Sequence, residues 1–401
     1  MSRQVLTNAR LVLPERVVSG SVVIADDGTI EEVIIGARQP RAEIVEDVGG
    51  DYLMPGLIDL HGDDIEYEIG AKGPKATPTR LPVGLALIQS DKNAIGWGIT
   101  TRYHALAYWE EESKGRSVRL SKEIVEAIDK LQAQKRLLCE HYVDLRYEVT
   151  GDPAYTLAVM EHPSVRMISL MDHTPGEGQF KDDAAYKALN KSITGWSDVE
   201  LDRVIAEKRA RQSLKTGHTK TIIEKAKQLG QAIASHDDHT VEKVQAMKAL
   251  GISIAEMPVS LEAAREARCM GMTVTMAAPN VVRGGSSSGN LNAVDAIKAG
   301  VLDALCTDYY IPSLITAVFR LVRDEVVDLP SAVRLVTINP ARGVGMVDRG
   351  EIAVGKIADI VTVNPDEAAP IVTRTFKHGR LSFRDSRFVG GATATEHAAA
   401  S

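Results

Sequence analysis

The sequence predicts an α/β protein: a (β/α)8 TIM-like barrel with a small composite β-sandwich domain built from both chain ends. Three observations carry this expectation. The chain has 401 residues, enough for one large barrel plus an accessory module. Its middle alternates short apolar strands with helical patterns, the signature of a parallel sheet. Its two ends share a different texture, with short alternating apolar stretches broken by turn residues.

The end segments come first. "QVLTNARLVL", "SGSVVIADDGTI" and "EEVIIGA" open the chain, with Asp27-Gly28 as a turn. "DRGEIAVGKIADIVTVN" and "IVTRTFKHGRLSF" repeat that texture late. Chain ends often lie together in space, so 1–52 and 346–388 are expected to form one β domain around a barrel at 53–345. A small, polar tail at 389–401 is expected to be disordered.

The barrel strands are expected at 56–61, 98–106, 142–149, 165–173, 231–236, 252–257, 273–279 and 303–308. Helical patterns between them include "SKEIVEAIDKLQAQKRLL" and "DVELDRVIAEKRARQSLKTGHTKTIIEKAKQLG".

Composition narrows the class. A net charge of -7 argues against a nucleic-acid partner. No apolar run approaches the roughly 18 residues of a membrane span. The opening "MSRQVLTNAR" has no secretory apolar core, so the expected location is cytoplasmic. Cys139, Cys269 and Cys306 are too few and scattered for a disulfide framework or a Cys-type zinc site.

In such a barrel, chemistry sits at the C-terminal ends of the strands. There the sequence repeatedly places imidazole and carboxylate: His61 and Asp63, His104, Arg146 and Glu148, Asp172 and His173, His236 to His239, Glu256, and Asp308. Such crowding at one mouth is hard to offset without a cation, and these donors suit Zn²⁺, Mn²⁺ or Fe²⁺. The period of two in His61-x-Asp63 puts both on one strand face; Asp64 then points away, and Glu66 is expected on the surface. Six candidate ligands (His61, Asp63, Glu148, His173, His236 and Asp308) exceed one tetrahedral site, and two metals bridged by Glu148 would use them all. Asp172, Asp237 and Asp238 are candidates to hold the imidazoles through their other nitrogen; Glu256 and His239 fit that role or a structural one.

Two further stretches suit an anionic ligand. In "APNVVRGGSSSGN", Asn280, Arg283 and the backbone N–H groups of Gly284, Gly285 and Ser286 precede a helix-like segment, an arrangement able to cradle phosphate. "AKGPKATPTRLP" adds Lys72, Lys75 and Arg80 beyond the first strand end.

"LMPGLIDLHGDDIE" and "NPARGVGMVDRGEIAVGKIADIVTVN" resemble the amidohydrolase superfamily. "LRYE", "SLMDHTPGEGQF", "SHDDHT", "AEMPVSLEAAREARCMGMTV", "APNVVRGGSSSGN" and "TDYYIPSL" resemble, in order, the alpha-D-ribose 1-methylphosphonate 5-triphosphate diphosphatase family of phosphonate metabolism. The resemblance covers about residues 3 to 385. It implies a metal-dependent hydrolase with two divalent ions, zinc foremost, that releases pyrophosphate from a ribosyl triphosphate. It carries the six metal ligands over position by position, with Asp308 as the catalytic group that orients water and accepts its proton. Many superfamily relatives use a carboxylated lysine where Glu148 stands, and they number the two histidine-bearing strands fifth and sixth; here the count is fourth and fifth. The expected partner is a small phosphorylated substrate, and a homo-oligomer is compatible with the chain.

Ser287 stands where the family loop usually has histidine, and "RYE" replaces the more usual "RCE". These departures keep a second reading open, hydrolysis of a C–N bond in an amide, cyclic amide or aminated heterocycle. A third is a non-catalytic subunit of a phosphonate-processing assembly, which the retained ligand set disfavours.

Overall fold

The computed structural model describes residues 3–38, 40, 42–71, 79–108, 117–178, 180, 182–286, 289–365 and 369–391. The strands are β1 (Gln4–Val12), β2 (Val17–Ile24), β3 (Ile30–Ile35), β4 (Ile44–Asp47), β5 (Tyr52–Pro55), β6 (Leu57–Gly62), β7 (Ile99–Ala107), β8 (Glu140–Glu148), β9 (Val165–Met171), β10 (Ala232–His236), β11 (Ile254–Glu256), β12 (Thr273–Ala277), β13 (Ala304–Cys306), β14 (Ile360–Asn364), β15 (Ile371–Lys377) and β16 (Arg380–Arg384). The helices are α1 (Ile65–Glu68), α2 (Val83–Gly96), α3 (Val118–Ala133), α4 (Pro153–Leu157), α5 (Asp183–Thr194), α6 (Asp198–Ala210), α7 (Lys215–Gln228), α8 (Val241–Ala249), α9 (Leu261–Cys269), α10 (Ala278–Arg283), α11 (Ala293–Lys298), α12 (Ser313–Arg323), α13 (Leu329–Arg334) and α14 (Ile338–Gly343).

Strands β6 to β13 pair in parallel and in chain order. A parallel bridge between Gly62 and Asp308 brings the first and last strands together. Each expected barrel strand therefore has a counterpart. The helices follow from caps and apolar spacing. Ser117 caps α3, whose inward positions Leu120, Ile124, Val125, Ile128 and Leu131 recur three to four residues apart. Ser197 and Glu200 form a capping box on α6, and Thr240 and Ser260 cap α8 and α9. The long pattern at 198–230 breaks into α6, a 3-10 turn at Gln212–Leu214, and α7.

Strand β8 makes the layering plain. Val143, Leu145 and Tyr147 join the core between barrel and helices, while Tyr142 packs with an inner cluster of Ile58, Leu60, Tyr103, Met167, Ala234 and Ile254. By alternation Asp144, Arg146 and Glu148 share the inner face with Tyr142.

The composite β domain takes strands from both chain ends into one sheet, β16-β15-β14-β5-β1-β2-β3, with β4 pairing β1. Its separate core includes Leu6, Leu11, Val22, Ile24, Leu53, Ile360 and Phe376. The sheet runs on to Pro55 rather than stopping at residue 52, because β5 pairs with β1 and β14. The expected tail lies outside the described residues from 392 onward. Among the described residues no helix is long and apolar enough to cross a membrane.

Candidate metal centre at the barrel mouth

The site begins with a fault in β6. Register with β7 jumps between Asp59↔Arg102 and Gly62↔His104, so β6 carries one extra residue there. Leu60 packs in the inner cluster, yet its neighbour His61 also reaches inward to Glu256. A bulge explains how adjacent residues share a side, and bulges beside active sites re-aim side chains in this way. Gly62 is required at this point. A Cβ there would sit 2.4 Å from Arg102 Nη2. The buried Arg102 guanidinium pairs with Asp64 and lies 3.3 Å from Asp59. Asp64 is thus a structural anion, although it lies past the end of β6, as the residue before α1, and strand alternation does not set its direction. Glu66 departs from expectation: it is 3% exposed, because the short helix α1 folds back against the barrel.

Glu256, on β11, joins two histidines. Its Oε1 lies 2.9 Å from His61 Nδ1 and its Oε2 2.9 Å from His236 Nδ1. The two imidazoles stack with centroids 5.5 Å apart. His61, His236 and Glu256 present ligand-type atoms all within 4.8 Å of one another. Ser169 Oγ donates to Asp144 at 2.7 Å and also lies 3.0 Å from Glu256 Oε2. Asp144 Oδ2 comes within 3.5 Å of His61 Nδ1 but has no hydrogen-bond partner. Burial raises the Asp144 carboxyl above the usual range, and repulsion from Glu256 adds to this. Burial alone would lower the His61 pKa, but Glu256 and Asp144 hold it well above the ordinary imidazole value. The same histidines hold Glu256 well below the carboxylate range against its burial.

Asp308 follows β13 with φ +52, and the strand-end residues Asp237 and Met257 are also left-handed. For residues other than glycine such turns cost of order 1–3 kcal/mol and cluster at functional sites. Asp308 N donates to His61 O at 2.8 Å, and Asp63 N donates to Asp308 O at 2.6 Å. Arg146 Nη1 lies 3.5 Å from Asp63 Oδ2. Burial, with Asp63 adding, raises the Asp308 carboxyl.

The described contacts therefore tie His61, His236, Asp63 and Asp308 into one set. Glu148 and His173 form another: His173 Nδ1 lies 2.6 Å from Glu148 Oε2, and Lys208 Nζ lies 3.5 Å from Oε1. Lys208 and His173 keep the Glu148 carboxyl well below its ordinary range despite burial. His173 directly follows β9, the fourth barrel strand, and His236 ends the fifth, in agreement with the sequence count. Asp172 is bound by Lys215 and lies 3.5 Å from Gln212 Nε2. Asp238 accepts from Ser235 Oγ, Asp237 lies 3.6 Å from His236 Nε2, and His239 Nδ1 accepts from Gly178 N at 3.3 Å.

The glycine-rich stretch differs from expectation. Residues 278–283 are helix α10, and Gly284 (φ +83) caps its C-terminus. Gly284 N and Gly285 N both donate to Asn280 O, at 3.1 and 2.9 Å. These amides are spent in closing a helix end. The following helix, α11, starts only at Ala293, behind its own cap Asn292. Arg283 is exposed and lies over Tyr309, 5.1 Å from the ring centroid. Ser286 is partly buried and Arg80 is exposed; Lys72, Lys75 and Ser287 fall outside the described residues.

Sequence reading passed over Asp144, Ser169, Lys208 and Lys215. Asp144 was legible, since it shares the period of two with Arg146 and Glu148. The two lysines were not, because they come from helices that fold over the mouth from a distant segment.

The barrel gathers imidazoles and carboxylates at its strand ends, where barrel enzymes carry their chemistry. The model of the amidohydrolase family matches residues 116–382, and the chain belongs to that family. More particularly, it is 34% identical over 387 residues to the alpha-D-ribose 1-methylphosphonate 5-triphosphate diphosphatase of Escherichia coli (strain K12), covering 94% of this chain and 100% of that protein. Solved structures similar in fold include dihydropyrimidinase from Brevibacillus agri NCHU1002 (TM-score 0.61, 16% identity, 98% of this chain and 97% of that one). N-acetylglucosamine-6-phosphate deacetylase from Pasteurella multocida is another (TM-score 0.60, 14% identity, 94% and 99%).

Proposed function

We propose that this protein is a metal-dependent diphosphatase of phosphonate metabolism. Its substrate would be alpha-D-ribose 1-methylphosphonate 5-triphosphate or a related ribosyl polyphosphate. The observation that carries this reading is the 34% identity across the whole of the E. coli diphosphatase, and the cluster of His61, His236 and Glu256 supports it. The donor set fits divalent metal: two imidazoles share one buried carboxylate, and Asp144 Oδ2 is an orphaned buried oxygen beside them. His61, Asp63, Glu148, His173, His236 and Asp308 would hold two ions. Glu256 accepts Nδ1–H from both His61 and His236, which fixes the rings and leaves the other ring nitrogen of each for metal. Bound divalent metal supplies Lewis acidity and acidifies water toward neutral pH.

The chain's own groups then do the rest. Asp308 orients the water that attacks the α-phosphorus and takes its proton. The bond from that phosphorus to the β-bridging oxygen breaks, and pyrophosphate leaves. Arg146 steadies Asp63 and adds positive charge beside the reacting oxygens. The test is pyrophosphate release from a ribosyl triphosphate by the Zn²⁺- or Mn²⁺-loaded protein. No release, with turnover of an amide or cyclic amide instead, would replace this reading by C–N hydrolysis. That alternative is favoured by one departure, Ser287 in the loop position of the family histidine.

A further inference from the structure

We propose that the connection between the fourth and fifth barrel strands holds the substrate's polyphosphate, with Lys208 and Lys215 as the contacting cations. This rests on the diphosphatase reading and names the site that reading lacks. The glycine–serine loop is a poor cradle, because the amides of Gly284 and Gly285 are already used by Asn280 O. A chain of phosphates entering a mouth lined by Asp63, Glu148, Asp172, Asp237 and Asp308 needs fixed positive charge to meet it.

The segment from α6 to α7 supplies that charge in a defined geometry. The helix breaks at the 3-10 turn Gln212–Leu214. Lys208 lies in the last turn of α6 and Lys215 is the first residue of α7, so the break sets one ammonium on each side of the turn. Both reach strand ends. Lys208 Nζ lies 3.5 Å from Glu148 Oε1, and Lys215 Nζ binds Asp172 Oδ2. Gln212 fixes the turn by donating to Thr174 Oγ1 at 2.7 Å. Beyond the strand end Gly178 (φ +55) packs 3.1 Å, measured to a would-be Cβ, from Asp172 O, so a side chain at this corner would be crowded and strained.

Lys215 also lines a small cleft with His236, Asp237, Asp172, Thr219 and Lys243. Thr219 is among the lining residues, and its Oγ1 is buried without a hydrogen-bond partner. Lys215 and the histidine at the metal centre thus open onto one space, and Lys208 reaches the neighbouring strand end at Glu148. Each lysine is only partly exposed, at 19% and 22%, so the heads are directed and not swept through solvent. A lysine serving only to neutralise Glu148 or Asp172 would affect every substrate alike.

The experiment uses the metal-loaded full chain and inorganic pyrophosphate as probe. Lys208→Gln and Lys215→Gln are each expected to raise the pyrophosphate inhibition constant and the KM for a ribosyl triphosphate about tenfold, the loss of one charge-assisted contact, with kcat and metal content little changed. Lys208→Arg should recover most of the loss. Unchanged inhibition in folded, metal-loaded variants overturns the assignment, as does a loss seen with Arg283→Gln and with neither lysine variant. If the variants do not fold, lysine acetylation of the wild type decides: pyrophosphate must protect Lys208 and Lys215, and equal labelling with and without it overturns the inference. Absence of any ribosyl triphosphate turnover by the wild type sinks the diphosphatase reading itself, whereas normal turnover with unshifted inhibition sinks only the lysine assignment.

Discussion

Strand β8 carries carboxylates in two contrasting settings. At its base, Glu140 meets Arg349 and lies 3.1 Å from His378 Nε2 and 3.5 Å from Lys377 Nζ. Lys377 also binds Asp359 at 2.6 Å, and Arg349 donates to Thr101 Oγ1 at 3.1 Å. This network seals the barrel against the composite β domain, and its anions have cations fixed beside them. Along the same strand, Asp144 lies beside a second buried carboxylate, Glu256, and keeps one oxygen without a hydrogen-bond partner. The base has fixed arginine and lysine charges, whereas the paired carboxylates below the mouth have only imidazoles beside them. That difference separates carboxylates that hold a fold together from carboxylates that await a ligand.

The largest expected effect removes the mouth's first corner. His61→Ala should abolish measurable hydrolase activity and lower bound metal, read by elemental analysis of the purified protein, while the barrel still folds. Glu256→Gln is next. It keeps the shape but weakens the acceptor shared by two imidazoles, and should cost about 10–100-fold in metal affinity or activity. Unchanged activity in Glu256→Gln would mean that the histidines do not depend on it for orientation.

The base should answer in the opposite currency. Arg349→Ala strips Glu140, Asp348 and Asp359 of a shared partner. Breaking a buried pair by removing one member costs on the order of 3–5 kcal/mol, which denaturant unfolding would register. The metal content and KM of the folded fraction should not move. A middle case is Gly62→Ala, which forces a Cβ against the Arg102 guanidinium; overpacking of this kind costs typically about 1–3 kcal/mol, with activity falling too because His61 is the next residue.

How far the sequence foretold this contrast depends on which neighbours set each part. The barrel was legible because strand and helix periods repeat along β6 to β13, and most strand ends announce themselves with His, Asp or Glu. Local spacing set Asp64 apart from the ligands by strand alternation, yet Asp64 lies past the end of β6. The same spacing misplaced Glu66, whose burial depends on how α1 folds back, and it read a phosphate loop at 284–286 where a helix end lies, because Gly-Gly closes a helix as readily as it opens one. The extra residue in β6 was invisible too. A bulge is set by pairing with β7, which no single strand records. Asp91, Cys139 and His141 make the same point: unremarked as a group in the sequence, where Asp91 stands far from the other two, they meet in the outer layer, where Asp91 Oδ1 lies 3.0 Å from His141 Nε2 and accepts from Cys139 N at 2.8 Å.

The smallest effect sharpens the comparison through pH. Glu140 is held well below the ordinary glutamate range, chiefly by the hydrogen bond to His378 and the charges of Lys377 and Arg349, which outweigh its burial. Its depressed folded pKa means that the stabilisation is fully present above the unfolded value of about 4.3 and drains away as pH falls toward the folded value. Over that acid window the unfolded chain takes up a proton that the folded chain refuses. Unfolding free energy should therefore fall with decreasing pH, and Glu140→Gln should flatten the slope by up to about one proton while lowering stability at neutral pH. Titrating both proteins by urea unfolding from neutral pH into the acid range reads the slope directly. A parallel pair of curves would remove Glu140 from the set of fixed, fold-holding anions and with it the contrast with Asp144.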